Sequence, residues 1–182
     1  MAKVLPQPWT VEDFLAFEAE EVERYEYVGG IVRMMTGGSA AHSAIKGNLA
    51  LALRDQLPDP CRAYVGDPRV LTETAVMYPD VQVVCRPLDP DDDRVADPTV
   101  VVEVLSPTTQ RHDRIAKWRE YQRIGSLQHF VLVEQAERRV EVYSRTETGW
   151  ELVIVEPPED VVALQVVRAT LSLEAIYRNS GR

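Results

Sequence analysis

The chain has 182 residues, of which 45% are hydrophobic and 27% are charged, as in an ordinary folded globular domain. No apolar run approaches the roughly 20 residues that a membrane span requires, and the first ten residues lack the apolar core of a signal peptide, so we expect one cytoplasmic domain over residues 1–182. The net charge of −9 argues against a broad basic surface for nucleic-acid backbones.

This charge does not exclude a nucleic-acid substrate. Carboxylates that bind a divalent cation are themselves acidic, and bound Mg²⁺ would reverse the local sign. Cys61 and Cys85 are the only two cysteines, and neither lies at a spacing typical of metal ligands. We therefore expect two buried thiols.

The first predicted helix runs from Trp9 to Glu23, with Thr10 as its N-cap and Asp13 three residues later. A hairpin follows in RYEYVGGIVRMM, where Gly29-Gly30 form the turn. Glu26 lies between two tyrosines of the first hairpin strand. It can be a solvent-facing strand residue or part of a site, and the sequence leaves both readings open.

Gly37-Gly38 interrupt this pattern, and Ser39 can cap a second helix that reaches about Leu57. His42 falls in the first turn of that helix. A lone histidine there is more often a surface or capping residue than a functional one, so both readings stay open.

Residues 62–85 read as successive short strands, and the last of them begins directly after Tyr78-Pro79-Asp80. The following loop, from Arg86 to Pro98, is rich in aspartate but lacks the spacing of a calcium loop, so we interpret it as a solvated turn. If the strands on either side pair antiparallel, Asp80 lies opposite a residue between Glu103 and Leu105.

The strand after this loop, TVVVEVL, is apolar without alternation and is expected to be covered on both faces. Glu103 lies in its middle. An ionised carboxylate is costly to bury without a partner, so an arginine, a backbone donor or a bound cation must meet Glu103.

A helix is predicted from Arg111 to Arg123, and it folds back over the end of the Glu103 strand. Lys117 on this helix is then within reach of Glu103. The alternative is a surface lysine paired with Asp113 one turn earlier. The remaining residues predict strands at 129–135, 137–146, 149–157 and 163–168, and a short helix from Leu173 to Arg178.

Three segments together resemble a known family. They are RYEYVGGIVRMM, then SAAHSAIKGNLALAL, then PDVQVV with VVVEVLSPTTQRHDRIAKWREYQRIGSLQHFVLVE. This pattern resembles the Uma-two-like family of putative restriction endonucleases, within the PD-(D/E)xK nuclease superfamily. The resemblance covers about residues 10 to 150. It implies an α/β (mixed α+β) restriction-endonuclease-like fold, with a central mixed β-sheet flanked by helices.

The resemblance also implies a metal-dependent site. Its members are the metal-binding Asp80 and Glu103, the Val104 carbonyl that completes the metal shell, the catalytic Lys117, the auxiliary carboxylate Glu26, and His42. One departure from the superfamily pattern is visible. The superfamily places its lysine two residues after the acid, where this chain has Leu105, and the narrower family instead carries it on the following helix, as Lys117 does.

The residues and the resemblance together predict a Mg²⁺- or Mn²⁺-dependent DNA endonuclease. A homodimer is expected because two sites cut two strands most simply. The alternative is a catalytically inactive nuclease-fold scaffold that binds protein partners or nucleic acid. The acidic composition, together with the absence of a separate DNA-reading module, favours this alternative.

Overall fold

A computed structural model describes residues 9–106 and 113–182 of the chain. The predicted helix start at Arg111 lies outside the described residues. The side chain of Asp113, the partner named for a surface Lys117, lies outside them too.

The N-terminal elements follow their local signals. Helix α1, Val11–Ala19, begins at Thr10, whose hydroxyl accepts the Asp13 N–H at 3.1 Å while the Asp13 carboxylate accepts the Thr10 N–H at 2.9 Å. It ends four residues before the predicted Glu23. Strands β1, Tyr25–Val28, and β2, Ile31–Met34, form the predicted hairpin around Gly29-Gly30.

Helix α2, Ala40–Arg54, is capped by Ser39, whose hydroxyl accepts the His42 N–H at 3.2 Å. It stops short of the predicted Leu57. The next strands are short. Four of them occupy the predicted region, and the fifth lies beyond it, in the segment predicted to be a loop. They are β3 (Arg62–Val65), β4 (Arg69–Leu71), β5 (Ala75–Met77), β6 (Val81–Val84) and β7 (Arg94–Val95).

Strand β8, Val100–Leu105, is buried along its whole length, as its apolar run predicted. After the undescribed residues, a π-helical turn at Asp113–Lys117 continues into helix α3, Trp118–Tyr121. The remaining elements are β9 (His129–Glu134), β10 (Val140–Thr146), β11 (Gly149–Val155), β12 (Val161–Leu164), β13 (Ala169–Ser172) and helix α4 (Leu173–Tyr177).

The predicted strand over residues 163–168 is wrong in its second half. β12 ends at Leu164, and Gln165–Val167 form a 3₁₀ turn that leads into β13. The left-handed backbone of Arg168, with φ of 53°, reverses the chain there. The apolar run therefore belongs to a hairpin between β12 and β13 and not to one strand.

The larger sheet has six strands in the order β11-β10-β9-β8-β6-β3. β8 and β9 run parallel, and the other neighbours are antiparallel. The sheet is therefore mixed, as predicted, with the segment that contains α3 connecting the two parallel strands.

The two faces of β8 pack against different elements because successive strand side chains point to opposite sides. Val100, Val102 and Val104 join a core with residues of α2 and α4. Val101 and Leu105 join a second core that contains Tyr121 of α3. Glu103 shares the parity of the second group, so its side chain faces α3.

A second sheet has five strands in the order β2-β1-β5-β4-β7. Its aromatic and aliphatic side chains pack with α1 in a third core, where Phe14 stacks on Tyr27 with ring centroids 5.6 Å apart. This sheet carries Glu26 on β1. Among residues 9–106 and 113–182, no helix has both the length and the apolar character needed to cross a membrane.

The expectation of two unpaired thiols is wrong, because Cys61 and Cys85 form a disulfide. The reason lies in strand pairing. β3 and β6 are antiparallel with Arg62 opposite Val84, so the residues just beyond this pair, Cys61 and Cys85, also face each other. Sequence alone did not indicate that these two strands are neighbours.

Candidate active site

The site begins at Glu103, whose side chain faces α3 from the middle of β8. It is 3% exposed, and its Oε1 accepts hydrogen bonds from Lys117 Nζ and from the Tyr121 hydroxyl, both at 3.0 Å. The buried carboxylate therefore meets an amine and a phenol. Both donors come from the helical segment that folds back over the strand, as the sequence predicted for Lys117.

Lys117 is buried between two carboxylates. Its Nζ lies 2.7 Å from Glu26 Oε1 on β1 and 3.0 Å from Glu103 Oε1, and the residue is 4% exposed. The surface reading of Lys117 is therefore wrong. Lys117 is the last residue of the π-helical turn, a local geometry that is frequent at functional sites.

Glu26, on β1 of the second sheet, contacts the helical turn that carries Lys117. It is buried, and its Oε1 accepts the backbone N–H of Tyr78 at 2.9 Å in addition to the Lys117 ammonium. Of the two readings left open by the sequence, the solvent-facing one is wrong. Glu26 and Glu103 thus share the Lys117 ammonium.

Asp80 lies beside Glu103 at the start of β6. Strand pairing sets Val81 opposite Val102, which places Asp80 next to Glu103 and within the predicted interval. Its Oδ2 accepts the Val104 N–H at 2.8 Å. Two acidic residues of neighbouring strands thus lie next to each other in the register.

Helix α2 contributes two nitrogen-bearing side chains that lie beside Asp80. His42 Nε2 lies 3.2 Å from Asp80 Oδ2, and Lys46 Nζ lies 3.7 Å from Asp80 Oδ1. The two residues are four apart, so they occupy one face of the helix. His42 therefore belongs to the site, and its surface reading is wrong.

These contacts set the protonation of the site. Burial alone would raise the pKa of Asp80, but hydrogen bonding and charge from His42, the Val104 N–H and the charge of Lys117 together hold it below the ordinary value. Burial, with the neighbouring Glu103 carboxylate, raises the pKa of Tyr121 well above that of a free phenol. Tyr121 therefore stays protonated and donates to Glu103.

Gly38 leaves the space that the His42 imidazole fills. A Cβ at this position would lie 2.7 Å from His42 Nδ1 and 2.9 Å from its Cγ. We expect Gly38→Ala to displace the ring from Asp80 and so to raise the pKa of the Asp80 carboxyl. Carboxyl ¹³C NMR titration measures this pKa, and Gly37→Ala, which meets nothing within 4 Å, is the matched control.

The pKa change has a consequence for acid stability. A lowered folded-state pKa makes ionised Asp80 stabilising above the ordinary aspartate range, and this contribution is lost as the pH falls through the lowered value. In Gly38→Ala this contribution should be smaller, and its loss should be complete at a higher pH. An Asp80 titration identical to that of Gly37→Ala would show that Gly38 does not position His42.

The donor set suits a hard divalent cation. Mg²⁺ commonly takes one or two protein carboxylates and completes its shell with water and substrate phosphate. Asp80 and Glu103 are such a pair. Within the part of the chain that the structure describes, no group of three or more His, Cys, Asp or Glu side chains is arranged to hold a metal. An open two-carboxylate site fits the residues, and a closed metal cage does not.

The aspartate-rich loop does not contribute to this site. Asp97 pairs with Arg86 at 2.7 and 2.8 Å, and Asp93 pairs with Arg69. The remaining aspartates of the loop are exposed. The aspartate cluster is therefore solvated, as interpreted. The predicted loop is not turn throughout, because Arg94–Val95 form β7 beside β4 and Val95 is buried.

Sequence reasoning missed two neighbours of the carboxylates. Tyr121 lies one turn after Lys117, so helical spacing could have placed it at Glu103. Lys46 lies one turn after His42, and the same argument applies to Asp80. Each could have been found by extending the site along the helix that carries a residue already selected.

Comparison with known proteins places this arrangement in a family. A family model described as "Putative restriction endonuclease", Uma2, matches residues 11–175. The uncharacterized protein slr1290 of Synechocystis sp. (strain ATCC 27184 / PCC 6803 / Kazusa) is 30% identical over 171 residues, covering 92% of this chain and 90% of the relative. The uncharacterized protein sll1609 of the same strain is 30% identical over 142 residues, or 75% of this chain and 80% of the relative.

A crystal structure of a putative nuclease belonging to DUF820 from Anabaena variabilis ATCC 29413 is similar in fold. Its TM-score is 0.78 at 20% sequence identity, and the match covers 93% of this chain and 98% of that one. At this identity the likeness concerns the fold, and it confirms the predicted restriction-endonuclease-like arrangement of a mixed sheet flanked by helices. By its sequence, the chain belongs to the Uma2 family of putative restriction endonucleases.

Proposed function

We propose that the protein is a Mg²⁺- or Mn²⁺-dependent endonuclease that hydrolyses phosphodiester bonds of DNA. One observation carries the proposal. Asp80 and Glu103 lie side by side on antiparallel strands, and a lysine ammonium lies 3.0 Å from Glu103. Two carboxylates with one amine are the groups that metal-assisted phosphodiester hydrolysis uses, and membership of the family supports this reading.

The chain's own residues would hold the cation. Asp80 and Glu103 supply carboxylate oxygens, and the Val104 carbonyl remains the predicted third ligand. When bound, the cation would supply Lewis-acid chemistry, lowering the pKa of a water and offsetting charge on the scissile phosphate. Because the pKa of Asp80 is lowered, this carboxylate is ionised and ready to bind at neutral pH.

Lys117 is proposed as the amine that stabilises negative charge developing on the phosphate oxygens. Glu26 orients it, since Lys117 Nζ lies between Glu26 and Glu103. His42 Nε2 lies 3.2 Å from Asp80 Oδ2, so its imidazole orients that carboxylate and can exchange a proton with a bound substrate.

Plasmid cleavage tests the proposal. We expect supercoiled DNA to be cut in Mg²⁺ or Mn²⁺ and to stay intact in EDTA. A homodimer with two sites acting together would convert supercoiled plasmid to linear product without accumulation of nicked circles. Intact plasmid with every divalent cation tried would overturn the endonuclease proposal.

The inactive scaffold remains the second candidate, and a specific observation favours it. Lys117 is closed between two carboxylates, an arrangement that also serves as a buried structural ion pair. Metal titration by calorimetry separates the two candidates when combined with the cleavage assay. A protein that shows no metal binding in the titration and no cleavage in the assay would support the scaffold.

A further inference from the structure

The two lysines at the carboxylates differ in access to solvent. Lys117 is 4% exposed and lies within 3.0 Å of two carboxylates. The side chain of Lys46 is 31% exposed, and its ammonium lies 3.7 Å from Asp80 Oδ1. Of these two amines, Lys46 is the one that a polyanion approaching the site meets first.

The ammonium of Lys46 does not form a hydrogen bond with Asp80. Its Nζ lies 3.7 Å from Asp80 Oδ1, which is too long for a hydrogen bond. Asp80 Oδ2 is already bonded to the Val104 N–H. An ammonium carries three donors, so Lys46 can donate to another acceptor while it stays beside Asp80.

A second cation lies across the turn at Gly66. Arg24 donates from one guanidinium nitrogen to the Gly66 carbonyl at 3.4 Å, and its guanidinium carbon lies 5.4 Å from the centre of the Tyr78 ring. Lys46 Nζ lies 3.8 Å from the place where a Gly66 Cβ would be. The two cations therefore border the same turn, next to the strand end that carries Asp80.

Arg24 also has donors that a ligand can recruit. Its side chain is 53% exposed and pairs with Asp67, whose side chain is 76% exposed. Such surface pairs contribute little to stability and exchange readily. A phosphate group offers the guanidinium two acceptor oxygens in place of this carboxylate.

We propose that Lys46 and Arg24 form a phosphate subsite that binds the DNA backbone next to the scissile phosphodiester. This inference rests on the proposed function, because it takes Asp80 as the place where the scissile phosphate lies. A net charge of −9 gives the chain no overall basic field to attract DNA. Cations placed locally at the site then contribute most to DNA affinity, and these two are so placed.

Salt-dependent DNA binding tests the subsite. A short duplex is titrated with intact protein, with Ca²⁺ in place of Mg²⁺ to hold back cleavage, over a range of salt concentrations. Each phosphate contact contributes about 0.9 to the slope of log affinity against log salt. We expect Lys46→Gln to lower this slope by about 1 and to weaken binding about tenfold at 0.1 M salt. Adding Arg24→Gln should roughly double the loss in slope.

Arg54→Gln is the matched control. Arg54 lies on the same helix as Lys46, its side chain is 69% exposed, and the substitution removes the same charge. We expect its slope to equal that of the wild type. A Lys46→Gln slope equal to that of Arg54→Gln would overturn the subsite, as would the absence of DNA binding by the wild type.

Failure of the subsite is distinguishable from failure of the endonuclease proposal. Plasmid cleavage with an unchanged Lys46→Gln slope rejects the subsite and leaves the enzyme. A lowered slope in a protein that never cleaves supports the subsite and rejects the enzyme. Unchanged salt slope with altered Mn²⁺ affinity in Lys46→Gln would overturn the proposal and leave Lys46 as a partner of Asp80 alone.

Discussion

Lys117→Met should lower DNA cleavage by about 10²–10³-fold, the range for losing one preorganised charge-stabilising donor. The same substitution should also destabilise the metal-free protein. Lys117 is the shared partner of Glu26 and Glu103, both of which are buried. Removing one member of a buried ion pair typically costs about 3–5 kcal/mol, because it leaves buried charge without compensation.

Metal should reverse part of this loss of stability. A divalent cation at Asp80 and Glu103 would replace positive charge that Lys117 supplied, so the destabilisation should shrink when Mn²⁺ is added. Denaturant unfolding with and without Mn²⁺ measures the difference in unfolding free energy between Lys117→Met and the wild type. Cleavage is measured at saturating metal. This design separates a lost catalytic amine from a protein that has simply unfolded.

Two further variants sharpen the test. Lys117→Met removes the ammonium that Glu26 and Glu103 share. Adding Glu26→Gln neutralises one of these two carboxylates, so the double variant should be more stable than Lys117→Met but should not regain cleavage. Arg119→Met, an exposed residue two positions later, should leave both properties unchanged. Cleavage by Lys117→Met at the rate of Arg119→Met would leave Lys117 with a structural role only.

Much of this site could be predicted because local patterns indicated its parts. The apolar run around Glu103 predicted a buried strand, and a buried carboxylate requires a partner. The Asp80 register followed from the symmetry of the two strands about their connecting loop. Helix direction then placed Lys117 near the end of the Glu103 strand.

The failures share a different cause, which is the pairing of elements distant in sequence. The disulfide was missed because nothing in the sequence placed the Cys61 strand beside the Cys85 strand. The burial of Glu26 depends on how β1 meets the helical turn that precedes α3, since its partners are Lys117 and the Tyr78 backbone. Side-chain periodicity describes one element at a time, so it does not determine these contacts.

Asp80→Asn and Glu103→Gln should each weaken Mn²⁺ binding strongly. Losing an outer-shell partner already costs roughly 10–100-fold in metal affinity, and the loss of a proposed direct carboxylate ligand should cost at least that much. Calorimetric titration of Mn²⁺ measures the effect. The fold should survive Asp80→Asn, since the asparagine oxygen can still accept the Val104 N–H that Asp80 accepts at 2.8 Å.

The control for this prediction must remove the same charge elsewhere. Asp91→Asn does so in the exposed aspartate-rich loop, and we expect its Mn²⁺ affinity to match the wild type. If Asp91→Asn weakened binding and the two site variants did not, the cation would be bound by the loop. Since Asp80 has a lowered pKa, it stays ionised well below neutral pH, so its titration should not alter Mn²⁺ affinity between about pH 6 and 8. Unchanged affinity in both site variants would leave the two carboxylates as partners of Lys117 and His42, without a metal.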